Sequence, residues 1–251
     1  MSLLQGVTRN GDGWIAKCPA HDDQNPSLSI RQGDDGRTLL KCFAGCTADS
    51  ICAALNLTTA DLFDGDSKRV QRHIVATYPY HDAGGKLLFE VVRFDPKDFR
   101  QRRPDATALG GWTWNTKGVE KVLFRLPEIL AAIASGKLIF VCEGEKDALA
   151  MVERGLSATC NPAGAGKWQD SYAETLRGAT VAIIADKDAP GRAHAALVAG
   201  KLHGVAKSVR ILELPDMNGK LVKDAADFFA AGGDAGQIGE LVDATHDWTT
   251  P

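Results

Sequence analysis

Two sets of residues in this 251-residue chain have the types and spacing that chemistry requires. The first is Cys18 and His21 in "CPAH", followed after twenty residues by Cys42 and Cys46 in "CFAGC". C-x2-H paired with C-x3-C offers three thiolates and an imidazole on two tight turns, the donor set and spacing of a ribbon-type zinc site. Pro19 and Gly45 favour the reversals. Each residue alone would read more simply as a buried thiol or a surface imidazole, and the pairing is what selects the metal. Four protein ligands close the coordination shell, so this zinc is expected to shape a module and to leave chemistry to other residues. Asp22 and Asp23 read as solvated groups or as carboxylates standing behind the ligands.

The second set is acidic. "FVCEGEKDA" puts Glu143 at the end of an apolar, strand-length run, with Asp147 four residues on. "AIIADKDAPG" repeats the design with Asp186 and Asp188. In an open α/β sheet the functional crevice lies at the carboxyl ends of the strands. Carboxylates converging there repel unless a cation lies between them, and Mg2+ or Mn2+ bound by acids and substrate phosphates serves phosphoryl or nucleotidyl transfer. The plainer reading makes such acids helix caps and first-turn residues. Glu145 is read that way, whereas Glu143, Asp186 and Asp188 together are read as metal ligands. "NPAGAGKW" is not a phosphate loop, since G-x-x-x-x-G-K-[ST] would need glycine at Asn161 and Ser or Thr at Trp168. Its glycines are expected to turn the backbone near the acids.

Between these sets lies a basic segment. Residues 66–126 hold twelve Lys/Arg against seven Asp/Glu in a chain whose net charge is -3. Arg93, Lys97, Arg100, Arg102, Arg103 and Lys117 alternate with Phe94, Phe99, Trp112 and Trp114. Cations for phosphates and rings for bases make a single-strand track. The same residues would also serve as a solvated strand surface over core tryptophans, and both readings stand at this point.

The elements that must position these groups follow from pattern. A module over 1–63 holds the Cys/His set, the strands "SLSI" and "TLLKCF" joined by the turn "QGDDGR", and an apolar helical run "DSICAALNL". The polar stretch "DGDSKR" reads as a linker. A strand-rich basic subdomain over 64–126 carries "HIVATYPY", "LLFEVVRF" and an aromatic hairpin around "GGWTWN". Over 127–251 continuous apolar strands alternate with helical periods, which predicts a mostly parallel sheet covered by helices. The fold class is therefore α/β, preceded by a zinc ribbon and a strand-rich segment. Hydrophobic content of 44% is that of a globular chain. No apolar run approaches the roughly 18 residues that cross a bilayer, and no secretory signal is visible, so the expectation is a cytoplasmic protein with no membrane partner. In that compartment Cys52, Cys142 and Cys160 read as small core residues.

Glu143-Gly144 with Asp147, then Asp186-Lys187-Asp188 and Gly191, resembles the TOPRIM signature shared by DnaG-type primases, topoisomerases and certain nucleases. The "CPAH... KCFAGC" pattern is similar to the CHC2-like N-terminal zinc module of bacterial and phage primases, and the order of zinc module, basic segment and TOPRIM resembles that family over nearly the whole chain. The resemblance implies a DNA primase that makes short RNA primers on single-stranded DNA from ribonucleoside triphosphates. Zn2+ would be structural and Mg2+ or Mn2+ catalytic. Glu143, Asp186 and Asp188 would be the main metal-binding acids, with Asp147 close by. "KDAADFF" resembles the family's later acidic motif, with Asp224 as its first carboxylate, but Ala226 stands where a second acid is usual and Asp227 is one residue further. Arg93, Arg102 and Lys117 are implied in template or nucleotide contact. The C-x3-C pair resembles phage and plasmid variants. A replicative helicase in cis or trans is the implied partner, so the chain reads as a fragment of a primase-helicase or as a short phage or plasmid primase. Two other readings are a TOPRIM nuclease or topoisomerase-like enzyme and a non-catalytic zinc module that binds DNA.

Overall fold

A computed structural model describes residues 3–33, 37–62, 73–108 and 110–250. They belong to two compact units, Met1–Arg72 and His73–Pro251. The linker-like "DGDSKR" and three residues of the "QGDDGR" turn (34–36) lie outside the described residues.

The first unit is an antiparallel meander of β1 (Thr8–Asn10), β2 (Gly13–Ala16), β3 (Leu28–Gln32) and β4 (Thr38–Cys42), in that spatial order. Its first hairpin turns on Gly11-Asp12, with Asn10 opposite Gly13. On β3 Leu28 and Ile30 face inward, as period-two alternation requires. Helix α1 (Ala48–Ala54) starts at Thr47, whose hydroxyl accepts from the Ser50 N–H at 3.2 Å, and buries Ile51 and Cys52. The core is small: Ala16, Cys18, Leu28, Ile30, Cys42 and Ile51. Two of those six residues are members of the metal quartet, so the cross-link is built into the core that it must hold.

The second unit opens with the meander β5 (His73–His81), β6 (Leu87–Asp95), β7 (Asp98–Pro104) and β8 (Trp112–Thr113). The expected turn at "HDAGGK" is held by Asp82, whose carboxylate accepts from the N–H groups of Gly84 and Lys86. The aromatic hairpin also forms, with Pro104 opposite Trp112. There follow α2 (Leu126–Ala134), β9 (Ile139–Val141), α3 (Glu145–Val152), β10 (Ser157–Thr159), α4 (Asp170–Thr175), β11 (Thr180–Ile184), α5 (Ala189–Leu202), β12 (Ser208–Leu212), α6 (Ala225–Ala230) and α7 (Ala235–Ala244).

Strands β9 to β12 form one parallel sheet in the order β10-β9-β11-β12. Alternation along each strand divides two cores. Phe140, Cys142, Ala182 and Ile184 face α3, α6 and α7 and also meet Tyr78, Tyr80, Phe89 and Val91 of the meander. Ile139, Val141, Val181 and Ile183 face α4 and α5. Both faces being covered explains why these strands read as unbroken apolar runs. From β9 the chain moves through α3 to β10 on one side, and from β10 through α4 to β11 on the other. The switch point therefore falls between the carboxyl ends of β9 and β11, where a crevice opens.

Among the described residues, no helix is long and apolar enough to cross a membrane.

Candidate functional site

The Cys/His quartet is assembled as the spacing predicts. Cys18 lies just beyond β2 and Cys42 ends β4, so paired strands bring the two turns together. The ligand atoms of Cys18, His21, Cys42 and Cys46 all lie within 4.8 Å of one another. His21 Nδ1 stands 3.3 Å from Cys46 Sγ and 4.0 Å from Cys42 Sγ. A tetrahedron with Zn–S of about 2.3 Å and Zn–N of about 2.0 Å has ligand-to-ligand edges of roughly 3.5 Å. The quartet thus fits zinc in both chemistry and size. Asp23 organises it from behind: its Oδ2 accepts from the Cys18 N–H at 2.6 Å and the Ser27 hydroxyl at 2.6 Å, and its Oδ1 is 3.7 Å from His21 Nε2. Those donors hold its carboxyl below the ordinary range. A carboxylate behind the metal-facing imidazole fixes the ring's orientation. Asp22 is turned to Gln24 instead.

In the second unit the acids gather at the switch point. Glu143 follows β9 and Asp186 follows β11. The first turn of α5 approaches Asp186 so closely that a Cβ on Gly191 would lie 2.5 Å from the Asp186 Cβ, which is why glycine stands there. Glu143, Asp147, Asp186 and Asp224 line a cavity of about 520 Å³, and Arg93, Lys97 and Arg100 line it too. Asp147 reaches this place from α3, and its Oδ1 accepts from the Ala226 N–H at 3.1 Å, which docks α6 and the "KDAADFF" segment onto the acids. Burial pushes the Asp186 carboxyl up to about 7, with Glu143, Asp147 and Asp224 adding to the rise. Burial and Asp224 push Asp147 up to about 6, and burial raises Glu143. These carboxylates face one another with too little positive charge between them, the condition a divalent cation relieves. Unlike the zinc quartet, they are oxygen donors around an open cavity. Such a set suits Mg2+, which takes oxygen ligands and keeps several waters.

Two acids combine the capping and the ligand readings. Asp188 is the N-cap of α5, its Oδ1 accepting from the Gly191 N–H at 2.8 Å while Oδ2 meets Lys223 Nζ at 2.9 Å. It stands beside the cavity and does not line it. Asp224 caps α6, accepting from the Asp227 N–H at 2.7 Å. Asp227 itself faces the Lys223 N–H at 3.3 Å and lies off the cavity wall.

Glu145 keeps the expected first-turn place but does not cap. The cap residue of α3 is Gly144, and no side chain caps the helix. The Glu145 carboxylate is buried, its Oε1 accepting from the Tyr80 hydroxyl at 2.7 Å. The pair ties the meander to the parallel sheet, and Glu145 adds a further acid to the cavity wall. Tyr80 lies 65 positions away in sequence, so no local signal announces the pair.

The basic residues divide. Arg93, Lys97 and Arg100 line the same cavity as the acids, together with Phe99 and Gln101. Arg102 makes two bonds of 2.8 and 2.7 Å to Glu90 and stacks on Trp112 with its guanidinium carbon 4.0 Å from the ring centre. Arg103 and Lys117 also lie off the cavity wall. Half-exposed Phe99 and Trp114 keep aromatic surface open on this side. In "NPAGAGKW" Gly164 and Gly166 take left-handed backbone at φ 69° and 74°, and Ala163 and Gly164 reach the cavity, so this loop turns beside the acids. Cys52, Cys142 and Cys160 are buried thiols, as expected.

No protein-family model matches the sequence. No curated protein matches it either. Solved structures do match in fold. The zinc-binding and RNA polymerase domains of the Aquifex aeolicus primase align over 98% of this chain and 82% of that one, with TM-score 0.52 and 14% identity. The E. coli primase catalytic core aligns over 68% of this chain and 52% of its own, with TM-score 0.50 and 18% identity. A DNA primase domain from Pseudomonas aeruginosa gives TM-score 0.50 and 21% identity over 68% and 51%. The chain thus spans about half the length of the catalytic cores that it matches. In fold, this chain is a small Cys/His module followed by an α/β core of the kind found in primases.

Proposed function

We propose that the protein is a DNA primase, a nucleotidyltransferase that makes short RNA primers on single-stranded DNA. The observation that carries this reading is the cavity lined both by Glu143, Asp147, Asp186 and Asp224 and by Arg93, Lys97 and Arg100. Carboxylates for divalent cations and a cationic wall for phosphates are the two halves of a triphosphate site. The TOPRIM-like placement of Glu143 and Asp186 at the ends of adjacent strands supports it, as does the order of the modules.

Glu143, Asp186 and Asp188 would hold Mg2+ or Mn2+, with Asp147 and Asp224 completing the field. The chemistry that such a cation supplies is orientation of the attacking 3'-hydroxyl and stabilisation of charge on the phosphate oxygens. In the reaction that oxygen bonds to the α-phosphorus of a ribonucleoside triphosphate and pyrophosphate leaves. Arg93, Lys97 and Arg100 neutralise the triphosphate and the template backbone. Phe99, exposed beside them, offers a face on which a base can stack. Arg102, Arg103 and Lys117 would serve the template outside the cavity, Arg102 through its stack on Trp112. The zinc module would select the template start site. The working partner is a replicative helicase in cis or trans, and the working compartment is the cytoplasm.

The test is incubation with mixed single-stranded templates, labelled ribonucleotides and Mg2+ or Mn2+, resolved on a denaturing gel beside a Glu143→Gln, Asp188→Ala double variant. Short oligoribonucleotides from the wild type alone are expected. Their survival in the double variant would remove the site assignment. Template cleavage without synthesis would turn the reading to a nuclease. Template binding with neither product, unchanged in the double variant, would turn it to a non-catalytic module.

A further inference from the structure

One cation touches both strand-end acids of β11. Lys223 Nζ lies 2.9 Å from Asp188 Oδ2 and 3.8 Å from Asp186 Oδ2. Lys187 stands between these two acids in sequence, yet its ammonium turns away to Asp216 at 2.5 Å. Among the described residues, Asp186 and Asp188 make ion pairs with Lys223 alone. The Asp186 side chain is 11% exposed, so its charge is costly without a partner, whereas the Lys223 side chain is 55% exposed.

The backbone at Lys223 is pinned on both sides. Its N–H donates to Asp227 Oδ2 at 3.3 Å, and its carbonyl accepts from the Lys187 N–H at 3.0 Å. The four-carbon stem is therefore what can move, and an ammonium on such a stem swings into water at little cost. The Lys223–Asp188 pair is exposed on both sides, and such a pair contributes at most about 1 kcal/mol, so a divalent ion can displace it. Glu143 and Asp224, on the same cavity wall, add to the field that an incoming cation meets.

We propose that Lys223 is the resident counter-cation of the Asp186 and Asp188 pair, holding these acids together until a divalent cation takes its place. The proposal deepens the metal-dependent reading above and rests on it. Lys223 then acts as a positioning residue that sets the metal concentration at which the site fills. Replacing its charge should tighten metal binding; a residue that merely organised the loop would weaken it on removal.

The experiment uses the zinc-loaded full chain without nucleotide, with Mn2+ as the probe and free Mn2+ read by electron paramagnetic resonance. Lys223→Met is expected to bind Mn2+ about fivefold more tightly than wild type, the equivalent of an exposed ion pair. Lys223→Arg, which keeps the charge, should stay within about twofold of wild type. Asp186→Asn should lose the site, which tests the metal reading separately. Equal or weaker binding by Lys223→Met, with binding still dependent on Asp186, would overturn the role given to Lys223 and leave the metal site standing. Absence of Asp186-dependent binding in every variant would overturn both.

Discussion

The two candidate metal centres contrast in how completely the protein supplies them. In the first unit, three thiols and an imidazole come within 4.8 Å of one another, and a buried carboxylate behind them is itself held by two N–H groups and a hydroxyl. Nothing is left open, and the ligands are part of a core of six buried residues. In the second unit, acids are spread around a cavity of about 520 Å³, two of them double as helix caps, and a lysine fills part of the charge deficit. A closed set builds a fold, and an incomplete one leaves room for substrate. The contrast teaches that burial at the acids is maintained against electrostatic cost, with raised carboxyl pKa values as its mark.

Removing a ligand from the closed centre should have the largest effect. Cys42→Ser is expected to take zinc content from one per chain to none and to unfold the first unit, because structural zinc contributes roughly 10 kcal/mol or more. Hydrogen exchange read by unit checks it. Exchange in β1 to β4 should become fast while the parallel sheet stays protected, and loss of protection in both would break the comparison.

Neutralising one acid of the open centre should do the reverse. A folded-state pKa raised to about 7 means that Asp186 favours the folded chain when protonated, and that this contribution disappears as pH rises from about 4 through 7. In the metal-free protein Asp186→Asn is therefore expected to be more stable than wild type at pH 8, by about 2 kcal/mol, with the difference closing towards pH 4. Denaturant melts at the two pH values, without divalent cations, measure it. A less stable variant at pH 8 would mean that Asp186 is already compensated.

Tyr80→Phe sharpens the same contrast at smaller scale. It strips a hydroxyl from a buried carboxylate and is expected to cost about 1 to 3 kcal/mol, while the stack of ring 80 on Phe89, 4.5 Å apart, persists. Thermal unfolding of the second unit reads the loss.

How much of this was legible in the sequence depended on sequence distance. The zinc quartet could be read because each pair lies on one turn, and the parallel sheet because buried strands leave apolar runs. Glu143 and Asp186 could be placed by the rule that strand ends face the crevice. The β1–β2 hairpin went unread, although its Gly-Asp loop between "TRN" and "GWIA" is a recognised hairpin signal; an exposed strand of three residues and a partner of four leave little alternation. The first-turn reading of Glu145 held, but its burial did not show, because Tyr80 reaches it through tertiary packing. Lys223 drew no notice for the same reason: it meets Asp186 and Asp188 only after α6 docks on Asp147. Arg102 and Arg93 looked alike in a basic run, and the strand pairing of Arg102 with Glu90 is what separates them.

The most direct test of the division between a shaping centre and a reacting one is extension of a short oligoribonucleotide already annealed to template, which bypasses start-site selection. Wild type, Cys42→Ser and Glu143→Gln proteins would be compared with Mg2+ and labelled ribonucleotides. Glu143→Gln is expected to lose about a thousandfold in rate, several kcal/mol of transition-state stabilisation, while Cys42→Ser stays within about tenfold of wild type. Extension that survives in Glu143→Gln and vanishes in Cys42→Ser would contradict the account.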